Sequence, residues 1–241
     1  RESFETLRKK VCIAETLAGY SAKCKQLMDQ LKFRDDSRTS NAAELLTERL
    51  EEVKDYVLEH GGDLELQEAT KPIVLALVDC VDRKSPQMVE DLVPMIKALH
   101  AYGKYAHKYV GSLLENIENE HIRECALAVL LLAGQDAGYW GKTVAGMLSD
   151  PAEIVRQAAC KTLESIGQAK SHIPEIAELL KDKRRYVRYT AKEVLEKVHE
   201  QGEDISAAVA PMLKLSKGRL EYACSLISTC GKVAEYVQDV A

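Results

Sequence analysis

Aromatic side chains are scarce in this chain: ten Tyr, two Phe and one Trp make up 5% of its 241 residues. That is low for an all-β domain, and low for the stacking platform of a nucleic-acid binder. Six Pro and thirteen Gly leave little room for long linkers or low-complexity segments. The longest apolar run, Cys125 to Gly134, falls far short of the roughly 20 residues that cross a bilayer. No signal-peptide pattern opens the chain, and no GxxxxGKS/T, GxGxxG, GxSxG or HExxH motif occurs. Excess positive charge is missing too. There are 33 Lys and Arg against 38 Asp and Glu, for a net charge of −5. Residues 1–120 hold 17 basic and 22 acidic groups, and residues 121–241 hold 16 of each. A protein that grips the phosphate backbone needs the opposite balance.

Seven cysteines (Cys12, Cys24, Cys80, Cys125, Cys160, Cys224 and Cys230) are odd in number and scattered, with no CxxC pair for zinc or redox work. Most sit among apolar residues, as in Ala158-Ala159-Cys160 and Tyr222-Ala223-Cys224. They read as small core residues in the cytoplasm or another reducing intracellular compartment.

What is present is helical periodicity. From Pro151 to Ile166 the apolar residues fall at Ile154, Val155, Ala158, Ala159, Leu163 and Ile166, one buried helix face. Asp150 reads as its N-cap, Pro151 as its first residue and Gly167 as its left-handed terminator. No segment alternates well enough for a strand. This unit recurs. Val155-Arg156, Ala159, Leu163 and Gly167 are matched 32 residues on by Val187-Arg188, Ala191 and Leu195. A further 32 gives Ala223, Ile227 and Gly231, and 33 back gives Ile122-Arg123, Ala126, Leu130 and Gly134. Upstream, Gly19, Gly61 and Gly103 are expected to end helices in longer units, with Arg34–Asn41 as an insert. A pair of helices this short cannot bury its own apolar face, so neighbouring pairs are expected to stack. Lys232–Ala241 reads as the first helix of a further unit. With Arg1 in place of an initiator Met, the natural chain is expected to continue.

These residues resemble the HEAT-repeat family and its armadillo-like relatives. The strongest matches are Leu148-Ser-Asp-Pro-Ala-Glu-Ile-Val-Arg-Gln-Ala-Ala159 and Leu180-Lys-Asp-Lys-Arg-Arg-Tyr-Val-Arg-Tyr-Thr-Ala191, each with an Asp six residues before an Arg. His199 replaces the expected terminal Gly, and Leu220 the expected Arg. The resemblance implies an all-α, right-handed α-α superhelix of about fourteen helices. It would be a single solenoid over 1–241, divergent in 1–103 and regular with 32–33-residue repeats in 104–241.

The resemblance also places the exposed side of each second helix on a concave, partner-binding face. Gln157, Lys161 and Glu164 define an outward stripe, which repeat spacing carries to Tyr189, Glu193 and Glu196, then to Glu221, Ser225 and Ser228. Backwards it passes Glu124, Ala128 and Leu131, then Val93, Lys97 and His100. Around Ala128 and Leu131 the helix is apolar on all sides, so it is either buried all round or a patch that wants a partner. The turn bearing Lys181, Lys183, Arg184, Arg185 and Arg188 is either an anion or acidic-partner site or a solvated turn with Arg188 committed to the Asp ladder. Trp140, in Gly138-Tyr139-Trp140-Gly141, is either a partner anchor or a staple between repeats.

HEAT-like di-iron hydroxylases use several His-Glu dipeptides. Only His199-Glu200 occurs here, and Gly103 separates His100 from His107. No catalytic residue, metal or cofactor is therefore expected. The family resemblance leaves three readings: a non-catalytic protein-interaction scaffold or subunit of a larger assembly, a bilin-lyase-like chaperone, and a tubulin-binding array. Protein partners without nucleic acid or a membrane span are expected.

Overall fold

The computed structural model describes residues 3–33, 36–83, 89–116, 118–214 and 217–231. The chain divides into two compact units, 1–129 and 130–241. Every regular element among the described residues is helical. The first unit holds α1 (Phe4–Gln30), α2 (Asp36–Glu59), α3 (Asp63–Asp82), α4 (Val89–Ala101) and the single turns α5 (Gly103–Ala106) and α6 (Gly111–Leu114). Helix α7 (Glu120–Ala133) spans the division. The second unit holds α8 (Gly141–Gly146), α9 (Glu153–Ser165), α10 (Ile173–Glu178), α11 (Arg185–Glu200), α12 (Ser206–Val209) and α13 (Lys217–Thr229). These thirteen α-helical segments, three of them four-residue turns, replace the expected fourteen helices among the described residues.

In the first unit Ser3 caps α1, its Oγ accepting the Thr6 amide at 3.2 Å. Helix α1 buries only a narrow stripe, Ile13, Leu17, Tyr20 and Cys24, and packs on α2 and α3. Tyr20 and Tyr102 meet in the core through their hydroxyls at 2.8 Å, and Tyr102 donates to the Leu46 carbonyl at 2.9 Å. The two hydroxyls thus satisfy each other where water is absent. Three expectations are corrected here. Gly19 lies inside α1, Gly103 opens α5, and residues 37–41 are helical in α2. Helices of 27 and 24 residues accommodate what the spacing suggested was an insert. Only Gly61, at φ 79°, ends its helix in the left-handed region.

The second unit is regular. Each first helix is short and tightens into a 3-10 segment: α8 into Met147–Ser149, α10 into Leu179–Lys181, α12 into Ala210–Lys214. Asp150 and Asp182 occupy the same station after the first two. Both are extended (ψ 142° and 144°), with carboxylates accepting the amides two residues on, Ala152 and Arg184, at 2.8 Å. Asp150 therefore closes the turn and does not cap the next helix, because α9 begins only at Glu153, after Pro151. Gly134, Gly167, Gly202 and Gly231 have φ of 59°, 73°, 94° and 69°. With His199 in place of the expected Gly, α11 runs on to Glu200, and Gly202 takes the left-handed position.

The recurring apolar positions form the core. Val155, Ala159, Leu163, Val187, Ala191, Leu195, Ala223 and Ile227 are all buried. On α7, Cys125, Ala126, Leu127, Val129 and Leu130 are buried, Ala128 and Leu131 half-buried, and Leu132 is exposed. The apolar helix is thus mostly covered. Cys24, Cys80, Cys125 and Cys160 are buried as expected, but Cys224 is exposed, since α13 buries Tyr222, Ala223, Leu226 and Ile227 instead. Lys232–Ala241 lies outside the described residues.

Candidate protein-binding groove and basic turn

An arginine ladder holds the turns in register. Arg156 of α9 donates through Nη1 to the carbonyls of Asp150 and Pro151, at 2.8 and 2.9 Å. Its other edge grips the Asp182 carboxylate of the next repeat with both nitrogens, Nε at 2.6 Å and Nη2 at 3.0 Å. The two side chains are only 9% and 8% exposed, so the fork-to-fork pair is largely shielded from solvent. Arg188 repeats the first half of this pattern, with Nη1 on the carbonyls of Asp182 and Lys183 at 2.8 and 3.2 Å. Arg123 does likewise on the Asn116 carbonyl, at 2.7 Å.

A groove of about 290 Å³ runs along the second helices, lined by Leu131, Lys161, Glu164, Ser165, Thr190, Glu193, Val194 and Lys197. Helices α9 and α11, which pack on each other, flank it, and each buries a small residue, Ala159 and Ala191, at an equivalent position. Gln157 Nε2 donates to Thr190 Oγ1 at 3.1 Å, and Ser165 Oγ to the Leu131 carbonyl at 2.7 Å. Lys197 bridges both Glu164 oxygens at 3.0 Å. Leu131 and Val194 supply apolar wall, and the rest of the lining is polar. Beside the groove stands Tyr189, 47% exposed, its ring edge against Tyr222 at 6.5 Å. A hydrogen bond to the Glu193 carboxylate, reinforced by its charge, raises the Tyr189 pKa.

Of the residues expected from sequence, the structure brings Leu131, Lys161, Glu164 and Glu193 into one groove with Tyr189 alongside. Ala128 lies outside it, half-buried in the first unit. Lys183, Arg184 and Arg185 are exposed at the turn, where Arg184 pairs with Glu153. Trp140 is half-buried, 5.5 Å from the exposed Tyr139 ring. The flanking glycines account for that motif's spacing: a Cβ on Gly141 would stand 2.8 Å from Gln168 Cγ, and one on Gly138 would stand 3.3 Å from the Ile166 carbonyl. Sequence reasoning missed Ser165, Thr190, Val194 and Lys197. A signal existed, because Gln157 to Thr190 and Glu164 to Lys197 are both 33 apart, pairing hydrogen-bonding or opposite-charge types across one repeat.

Among the described residues no three or more His, Cys, Asp or Glu are grouped to hold a metal ion, and no helix is long and apolar enough to cross a membrane. In the second unit, short first helices alternate with longer second helices beside an open groove. Residues 142–218, which carry the Arg156–Asp182 pair, Arg188 and most of that groove, match the family of HEAT repeats. No curated protein matches the chain. Among solved structures, the crystal structure of an engineered protein aligns over 86% of this chain and 97% of its own, at 14% identity and a TM-score of 0.40.

Proposed function

We propose that this chain is a non-catalytic protein-interaction scaffold, or a structural subunit of a larger assembly, which binds its partner along the α9–α11 groove and the turn preceding α11. The observation that carries this reading is the convergence of Leu131, Lys161, Glu164 and Glu193 on one open groove beside an exposed Tyr189. Tyr and Arg dominate the energetics of protein interfaces, and Tyr186, 77% exposed, extends the same face towards Arg184 and Arg185. In this reading residues 1–241 form one right-handed solenoid array, working in a reducing intracellular compartment.

The test is cross-linking of the full chain in a native lysate, followed by affinity measurement on the partner recovered. Tyr189→Ala and Lys161→Glu each weaken that complex by at least roughly tenfold while leaving the melting temperature unchanged. Cross-links that avoid both groove and turn, with both variants binding like the wild type, would sink the proposal. So would substrate turnover by the purified protein. A spectral change on mixing with bilin, or co-elution with tubulin, would replace it with one of those two readings.

A further inference from the structure

The ladder ends abruptly. Arg156 uses Nη1 on two carbonyls and its Nε–Nη2 edge on a carboxylate. Arg188 holds the same two carbonyl stations, yet its Nε is buried without a hydrogen-bond partner among the described residues. In the sequence, 32 residues beyond Asp182, where the repeat spacing calls for the next Asp, there is Lys214. A guanidinium nitrogen shielded from water and left unsatisfied is costly, and buried polar atoms in folded proteins normally have partners. The surrounding charge points the same way. Lys181 pairs with Glu178, Arg184 with Glu153, and Asp182 with Arg156. Lys183, Arg185 and Arg188 are left with no ion pair among the described residues, while Arg185 leans 3.5 Å from the Tyr222 hydroxyl.

We infer that Arg188 is the seat for a carboxylate of an acidic protein segment, which completes the ladder from outside with the Nε–Nη2 fork that Arg156 offers to Asp182. Lys183 and Arg185 attract that segment, and the exposed Tyr186 gives it a ring to lie on. Arg188 is half-buried as a whole, so the guanidinium is reachable from solvent although Nε itself is shielded. A nucleic acid fits less well. Only three cations of the turn are without an ion pair among the described residues, and the same face of α11 carries Glu193 and Glu200, which repel a phosphate backbone. The inference names the partner chemistry within the partner-binding reading and depends on that reading. It does not depend on the groove.

The experiment uses a fluorescein-labelled peptide of twelve Asp and Glu residues interspersed with Gly, titrated by anisotropy against the full chain at low and at physiological salt. A twelve-nucleotide single-stranded DNA is run in parallel. Arg188→Gln and Lys214→Asp each lower peptide affinity by roughly tenfold or more, the first by removing the fork and the second by filling it from within the chain. Lys183→Ala lowers it by only about twofold, as an exposed and screened charge should. Lys214→Asp also raises the melting temperature, and loses that gain when combined with Arg188→Gln. This arm keeps the test decisive if Arg188→Gln alone unfolds. Equal losses in Lys183→Ala and Lys214→Asp, tighter binding of the DNA, or no peptide binding at low salt would each overturn the inference. Groove variants such as Tyr189→Ala leave peptide binding intact, so the groove proposal can fail separately.

Discussion

Replacing Asp182 by Ala tests the physical core of the repeat stack. Arg156 and Asp182 form a two-point ion pair, at 2.6 and 3.0 Å, with side chains 9% and 8% exposed. Removing one partner of such a shielded pair leaves the other charge uncompensated and costs about 3–5 kcal/mol. Arg156 keeps its bonds to the Asp150 and Pro151 carbonyls, so the lower end of that range applies, about 3 kcal/mol. For a chain of this length each kcal/mol moves the melting temperature by about 2–4 °C, so the expected fall is about 6–12 °C. The control is Glu203→Ala, which breaks an exposed pair with Lys170 (49% and 43% exposed) and is worth about 0–1 kcal/mol. Acid adds a signature. Burial works against the charge on Asp182, yet hydrogen bonds from Arg156 and the Arg184 amide, with the nearby charges of Arg156 and Lys183, outweigh it and hold the carboxyl below its usual range. A depressed folded value means the stabilisation is whole above the unfolded value of about 3.9 and is lost as pH falls through the folded one. The gap between wild type and Asp182→Ala is therefore constant from neutral pH down to about 5 and closes in stronger acid. Calorimetric or circular-dichroism melts across pH read both effects. A fall no larger than that of Glu203→Ala, or a gap that does not close in acid, would refute the reasoning.

Opposite signs are expected at two glycines. Gly167→Ala forces a side chain to φ 73° and destabilises by about 1 kcal/mol. Gly146→Ala, with helical backbone and nothing within 4 Å of the new Cβ, stabilises by about 0.5–1 kcal/mol in the same denaturant titrations. In the first unit Tyr102→Phe removes both the bond to the Leu46 carbonyl and the hydroxyl partner of Tyr20 and costs about 1–3 kcal/mol. Tyr20→Phe leaves the Tyr102–Leu46 bond in place and costs less; the reverse order in urea unfolding would contradict the donor assignment. With Ellman's reagent the exposed Cys224 reacts first. Cys24, Cys125 and Cys160, whose burial pushes their thiols up to about 11, 12 and 12, stay unmodified until the chain unfolds. Uniform labelling of all seven would contradict the burial pattern.

The 32-residue recurrence of Val-Arg, Ala and Leu was enough to place the second-unit core, because its apolar members recur on the buried face of successive helices and must keep that period. Left-handed glycines were legible for the same reason. They mark where a helix must stop, and only at His199 did the substitution shift the end by a few residues, to Gly202. The first unit was harder to read. Its long helices bury narrow stripes, so Gly19 inside α1 and residues 37–41 at the start of α2 look in sequence like a stop and an insert. Helix α13 misled at Cys224, since adjacent residues of a helix lie about 100° apart and a small apolar residue is tolerated on either side of the boundary.

The sequence by itself determined the helical class, the repeat period and the identity of the stripe, all of which follow from local spacing. Only the tertiary structure decided which stripe residues share a groove, that Arg156 spends its free edge on Asp182 of the following turn, and that Arg188 has no such carboxylate among the described residues. Those facts depend on how one turn is set against the next, a distance that no single repeat encodes.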